Sequence, residues 1–170
     1  QKLVEIGEIV KKSDLKTMSM ANIYSIISAH EALRDSGWQT SEWSNEERTR
    51  AGVLIATGMA GVSELAEAAI SLYKDPHRGH KNVSPYFIPR LLPNLSSGLV
   101  SIRFKLRGPN QCVTTACAAG ANAIVDAYEN IQQGRADLMV CGATEACVHP
   151  ISIAGFSRMR ALATRLGNQI

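Results

Sequence analysis

The stretch "QCVTTACAAGANAIVDAYENIQQGRADLMVCGA", residues 111–143, constrains the fold more than any other part of the chain. A β-branched run opens it, a train of small residues with helical spacing follows, Gly134 closes that helix, and a second apolar run, "ADLMVCGA", ends at a glycine. Two strands separated by one helix cannot form a hairpin. They form a βαβ unit, which requires parallel strands and a right-handed crossover. The class is therefore α/β, with a strand at "QCVTTA", a helix over residues 117–133 and a buried strand at "ADLMVCGA".

The rest of the chain supplies more of the same architecture. Ile23, Ile26, Ile27, His30 and Leu33 recur at helical spacing between Ser19 as a cap and Gly37 as a stop, predicting an amphipathic helix over 19–36. Residues 38–50 are polar and turn-rich, and "AGVLIATG" then reads as a strand buried on both faces. Val62, Leu65, Ala69, Leu72 and Tyr73 predict a second helix, and "KDPHRGHKNVSP" an exposed loop carrying Lys74, Arg78 and Lys81. A further helix over 87–100 carries Pro89 in its first turn. Pro93, which lacks an N–H, kinks it.

At 170 residues, with 45% hydrophobic and 19% charged side chains, the chain suits one domain with one core. A net charge of +3 is too small to point to nucleic acid. No apolar run approaches the roughly 18 residues that span a bilayer, and no basic-then-apolar leader opens the sequence. The cysteines, at 112, 117, 141 and 147, show neither a C-x-x-C pair nor the framework of a small secreted domain. Zinc and structural disulfides are thus disfavoured and a reducing compartment fits. His77 and His80 form an H-x-x-H pair without a third ligand, so no metal site is expected.

Cys117 stands where the extended run gives way to the helix. A thiol at a helix N-terminus faces unpaired N–H groups and the positive end of the dipole, which favour thiolate, the nucleophilic form. None of the eight residues after it is charged. The turn from strand to helix resembles a nucleophile elbow, a geometry suited to acyl transfer. Taken residue by residue, Cys117 reads equally as a small buried hydrophobe, and Cys112, Cys141 and Cys147 read as core.

"GPNQCVTTACAAGANAI", "GRADLMVCGATEA" and "ISIAGFSRMRALAT" resemble the active-site region of the β-ketoacyl-acyl-carrier-protein synthases, in particular the single-polypeptide elongating type of bacteria and mitochondria. The likeness extends over "SPYFIPRLLPNLSSGLVSIRFKLRGPN" and the first helix, to about Arg165. It implies a thiolase-like αβαβα sandwich, of which residues 1–170 are the incomplete first of two duplicated halves. Opening strands and a C-terminal half lie outside the sequence. "LGNQI" departs from the family pattern, as does Pro93 where relatives carry an aliphatic residue.

The resemblance also implies chemistry. Cys117 takes an acyl chain from the phosphopantetheine arm of acyl-carrier protein as a thioester, its own N–H serving as one oxyanion donor. Malonyl-carrier protein then loses carbon dioxide and attacks that thioester, which extends the chain by two carbons. No bound cofactor is needed. Met59, Ala116, Ser152 and Phe156 would line the acyl pocket, with Phe87 reaching in from a partner in a homodimer. Lys11, Lys12, Arg78, Lys81 and Arg160 would meet the acidic carrier protein. Without the resemblance the first five read as core packing and the basic residues as a solvated face. The family's two catalytic histidines belong to its C-terminal half. None of His30, His77, His80 and His149 matches either motif: His30 reads as core, the others as loop or turn. The expected compartment is the mitochondrial matrix or the cytoplasm, and membrane and nucleic-acid partners are not expected. The competing readings are another acyltransferase of the thiolase superfamily, acting on coenzyme A esters, and a non-catalytic fragment for dimerisation or carrier-protein binding.

Overall fold

The computed structural model describes residue 7 and residues 9–38 and 42–163. The expected helix forms as α2 (Met20–Asp35), after a short α1 (Asp14–Thr17). The Ser19 side chain accepts from the Asn22 N–H, and Gly37 follows the helix at φ +75°. Within the stretch expected to be turns lies α3 (Asn45–Thr49), one turn of helix closed by a capping box. Ser44 Oγ accepts from the Glu47 N–H at 3.2 Å and Glu47 Oε2 accepts from the Ser44 N–H at 2.7 Å.

β1 (Ala51–Ala56) is buried along its whole length and lies at the centre of a three-stranded parallel sheet, between β2 (Asn110–Gln111) and β3 (Leu138–Ala143). Register pairs Val53 with Asn110 on one side and with Val140 on the other. The βαβ unit read from the sequence therefore passes over β1. Its two strands are both parallel to β1 but do not touch each other.

Alternation along β1 divides the core. Ala51, Val53 and Ile55 face Ile26 and Ala29 of α2 and Val100 of α6 (Leu95–Phe104); Leu54 and Ala56 face Ala119 and Ala123 of α7 (Ala119–Gln132). Helices thus cover both faces, an α/β/α layering in which each large buried β1 side chain contributes about 1.5–3 kcal/mol. The small residues of α7 allow close approach. A Cβ on Gly120 would stand 3.3 Å from that of Ala143.

Five expectations are corrected. The strand at "QCVTTA" is only the pair Asn110–Gln111, and Cys112 to Thr115 leave the sheet. The helix expected from residue 117 begins as a 3-10 turn, Ala116–Ala118, before α7. The kinked helix over 87–100 is two helices, α5 (Phe87–Leu91) and α6; Leu92, restricted by the following Pro93, is extended at ψ 119°. β3 is an edge strand, half-buried to exposed, because among the described residues no strand pairs with its outer side. α4 (Val62–Lys74) forms with its predicted apolar residues Leu65, Leu72 and Tyr73 exposed, and only Ala68 is buried.

The outward side of α7 carries Ile124, Val125, Tyr128 and Ile131, all exposed. A helix apolar on both sides is one that a further layer covers, consistent with the five-layer sandwich that the sequence resemblance implies. The exposed loop holds a 3-10 turn, Gly79–Asn82, in which Gly79 is buried because its backbone rests on Ser71 and Leu72. Among the described residues no helix is long and apolar enough to cross a membrane. "LGNQI" lies outside the described residues.

Candidate active site

Open parallel sheets place their sites beyond the carboxyl ends of the strands, and three segments meet there. Residues 57–59 follow β1, the run from Cys112 to Cys117 follows β2, and residues 144–147 follow β3. The Thr57 N–H donates to the Val113 carbonyl at 3.4 Å. A Cβ on Gly58 would stand 3.4 Å from the Ala116 carbonyl oxygen. Met59 N–H donates to Glu145 Oε2 at 2.7 Å.

Cys117 is exposed within the 3-10 turn that leads into α7. Ala116, immediately before it, has φ +51°, a left-handed conformation uncommon for a residue with a side chain. Thr115 enters the turn at φ −125° and the Ala118 N–H returns to the Thr115 carbonyl at 3.1 Å. The chain thus passes through one left-handed residue before the exposed Cys117. This turn stands where the sequence predicts an elbow, but it does not follow the strand directly: Cys112 to Thr115 lie between β2 and the 3-10 turn.

The other thiols differ. Burial pushes up the pKa of Cys112, which is half-buried. Cys141 lies on the open edge strand and counts as exposed, yet the atoms around its sulfur desolvate it enough to raise its pKa too. Burial, then the hydrogen bond to Glu145 and its charge, push the Cys147 thiol up to about 11. That thiol has one hydrogen and two acceptors in reach, the Met59 carbonyl at 2.7 Å and Glu145 Oε1 at 3.0 Å. The reading of these three as buried core is corrected, since none is fully buried. All four cysteines are free.

Met59 and Ala116 are exposed and belong to the junction around Cys117. Ser152 and Phe156 lie one turn apart on α8 (Pro150–Arg158), which His149 caps by accepting the Ile151 N–H at 3.3 Å. Ser152 is nine-tenths buried and its Oγ has no partner. Among the described residues no hydrogen bond joins this pair to the junction. Phe87 lines a cavity of ≈ 110 Å³ with Glu64, Glu67, Ala68 and Arg90, away from the junction. Lys11, Lys12, Arg78, Lys81 and Arg160 are all exposed. Arg78 and Lys81 share one turn, whereas Arg160 stands beyond α8 at φ +59°. His30 stacks on Phe104 at 6.2 Å between ring centres. Among the described residues no three His, Cys, Asp or Glu side chains gather as a metal site.

Glu145, which the sequence analysis does not single out, is the side chain that joins the segments after β1 and β3. Its carboxylate takes the Gly58 and Met59 N–H groups, and its place just after a parallel strand, in "GATEA", was the available signal.

Comparison with known proteins identifies the family and the fold. The family described as "Beta-ketoacyl synthase, N-terminal domain" matches residues 8–169. The mitochondrial 3-oxoacyl-[acyl-carrier-protein] synthase of Arabidopsis thaliana is 42% identical over 164 residues, which are 95% of this chain and 34% of that protein. 3-Oxoacyl-[acyl-carrier-protein] synthase 2 of Rhizobium meliloti (strain 1021) is 46% identical over 143 residues, 84% of this chain and 33% of that one. The chain thus spans about a third of the length of these relatives. Among solved structures, a type II PKS ketosynthase in complex with its acyl-carrier protein superposes with TM-score 0.78 at 26% identity, covering 88% of this chain and 36% of that one. A β-ketoacyl synthase from Burkholderia phymatum STM815 superposes with TM-score 0.74 at 25% identity, covering 91% of this chain and 36% of that one.

Proposed function

This chain belongs to the β-ketoacyl synthase family, and from that premise we propose that the whole protein is an acyltransferase elongating fatty acyl chains on acyl-carrier protein. The observation that carries the proposal is the exposed Cys117, presented by the left-handed Ala116 at the carboxyl end of the sheet. Its thiolate attacks the acyl thioester, forming a new thioester on Sγ and releasing the carrier protein's phosphopantetheine thiol. The Cys117 N–H is one donor to the oxyanion of that step. Malonyl-carrier protein then loses carbon dioxide; the carbanion attacks the Cys117 thioester, and the β-ketoacyl product leaves on the carrier protein as the thiolate is regenerated. The substrates bring the phosphopantetheine themselves, so the reaction calls for no resident cofactor.

Met59, Ala116, Ser152 and Phe156 are proposed as acyl-pocket residues, and Phe87 as a contribution across a homodimer. A relative's solved complex with an acyl-carrier protein supports that partner, and Lys11, Lys12, Arg78, Lys81 and Arg160 supply positive charge for it. The mitochondrial and bacterial relatives support a matrix or cytoplasmic setting, where free thiols persist.

Incubation with acyl-carrier protein charged with a C8 chain, followed by peptide mass spectrometry, tests the loading half. An acyl adduct on the Cys117 peptide, lost in Cys117→Ala, is the expected result. Loading from acyl-coenzyme A in preference to the carrier protein would redirect the assignment to another branch of the superfamily.

A further inference from the structure

Glu145 lies where the three site segments converge, and its two oxygens face different ways. Oε2 accepts from the Met59 N–H at 2.7 Å and the Gly58 N–H at 3.1 Å, with the Thr57 hydroxyl at 3.4 Å. Oε1 faces the Ala146 N–H at 3.3 Å and the Cys147 thiol at 3.0 Å. The turn clamped by Oε2 is the one that touches the elbow. The Thr57 N–H bonds the Val113 carbonyl at 3.4 Å, three residues before Ala116, and a Cβ on Gly58 would stand 3.4 Å from the Ala116 carbonyl oxygen. Ala116 is left-handed, and such a conformation persists only where its surroundings impose it.

We propose that Glu145 is a positioning residue for the nucleophile: Oε2 fixes the turn at residues 57–59, and that turn holds Ala116 in the conformation that presents the Cys117 sulfur. The inference rests on Cys117 being the nucleophile, as argued above. What the role needs is one acceptor oxygen in the place of Oε2. A glutamine carbonyl supplies it, with somewhat weaker bonds than a carboxylate makes to backbone N–H groups. Alanine leaves the Gly58 and Met59 N–H groups without that partner and frees the turn.

The experiment compares the 170-residue chain with its Glu145→Ala, Glu145→Gln and Gly58→Val variants. Iodoacetamide labelling rates of all four cysteines are read peptide by peptide by mass spectrometry, alongside thermal melting. Glu145→Ala is expected to slow Cys117 about fivefold or more, while Glu145→Gln recovers to within about twofold of the parent. Gly58→Val, whose Cβ would stand 3.3 Å from Glu145 Oε2 and 3.4 Å from the Ala116 carbonyl oxygen, crowds both partners of the turn at once; it is expected to slow Cys117 as well, and so serves if Glu145→Ala does not fold. Unchanged Cys117 labelling in Glu145→Ala overturns the proposal. So does a Glu145→Gln variant as slow as Glu145→Ala, since charge rather than acceptor geometry would then matter. Equal acceleration of Cys112, Cys141 and Cys117 with a lowered melting point overturns it in favour of general loosening. If Cys117 of the unaltered chain labels more slowly than Cys112 or Cys141, the nucleophile assignment itself fails, a result separable from the others because it needs no variant.

Discussion

The Ser97 hydroxyl stands between β1 and β2, accepting the Ile55 N–H at 2.7 Å and donating to the Gln111 carbonyl at 2.6 Å. It replaces the next rung of the ladder with a relay through a side chain, which is why pairing stops after Asn110 and Gln111. Ser97 has no exposed surface. Ser97→Ala leaves the buried Ile55 N–H and the part-buried Gln111 carbonyl without this partner, so a loss of about 1–3 kcal/mol is expected in urea unfolding. A change below about 0.5 kcal/mol would mean that the strands close up to form the bond directly.

Cys117 is expected to label fastest with iodoacetamide near neutral pH, being exposed at the turn into α7. Cys147, with its pKa near 11, should label last. At pH 8 about one in a thousand Cys147 side chains is thiolate, so its rate should climb roughly tenfold per pH unit up to about pH 10. Peptide-resolved mass spectrometry over pH 7–10 checks both the order and the slope.

Asp14 and Arg103 form a largely buried ion pair at 2.7 Å, tying α1 to α6. Burial alone would raise the Asp14 pKa. The hydrogen bond from Arg103, the Lys11 N–H and the nearby positive charge outweigh it and hold the carboxyl below its usual value. Because the folded-state pKa is lowered, the pair's contribution is complete above the unfolded value of about 4 and disappears as pH falls through the folded one. Asp14→Asn should therefore melt lower than the parent at pH 7, by about 2 kcal/mol in stability. The gap between the two should narrow below about pH 4.

Met59 and Phe156 are expected to set acyl length rather than to permit loading. Enlarging or trimming either should change relative loading across a graded series of acyl-carrier proteins by about 10- to 200-fold per methylene at the limit of the pocket. Loading of the shortest chains should stay intact. A uniform loss at all lengths would assign the two side chains to packing.

The 170-residue chain is expected to load but not to condense. It holds Cys117, the proposed nucleophile, yet spans about a third of its relatives' length, and the family's two histidine motifs do not occur in it. Without donors for the enolate, carbon dioxide release from malonyl-carrier protein should stay at background. Fusion to the remaining two-thirds of a relative should restore it. Turnover at about 1 per second or more by the chain alone would overturn the assignment of the histidine roles.

What the sequence made legible was local. Apolar spacing between Ser19 and Gly37 located α2, and the change from "VTT" to "ACAAGA" located the elbow, because each signal lies within a few neighbouring residues. What escaped depended on partners distant along the chain. The β-branched run after Gln111 looked like strand, but Ser97 ends the ladder there from another helix. The apolar stripe of α4 showed which side seeks cover and not that Leu65 and Tyr73 meet none here. The cysteines were judged by residue type, whereas the open edge of β3 decides Cys141. Glu145 carried one local signal, its place just after β3, but its partners at residues 57–59 lie 86 to 88 residues away in sequence.

β1 is buried at every position, and Ala56 at its end has no exposed surface, while Met59 three residues on is open to solvent. In the language of hydrogen exchange, the amides up to Ala56 are expected to open among the last, and those of Gly58 and Met59 when one carboxylate lets go. Opening the rim at Gly58 and Met59 costs two hydrogen bonds and leaves β1 in place. On the proposed role of Glu145 it also releases the hold on Ala116, so the same opening that would widen the site would loosen the Cys117 turn.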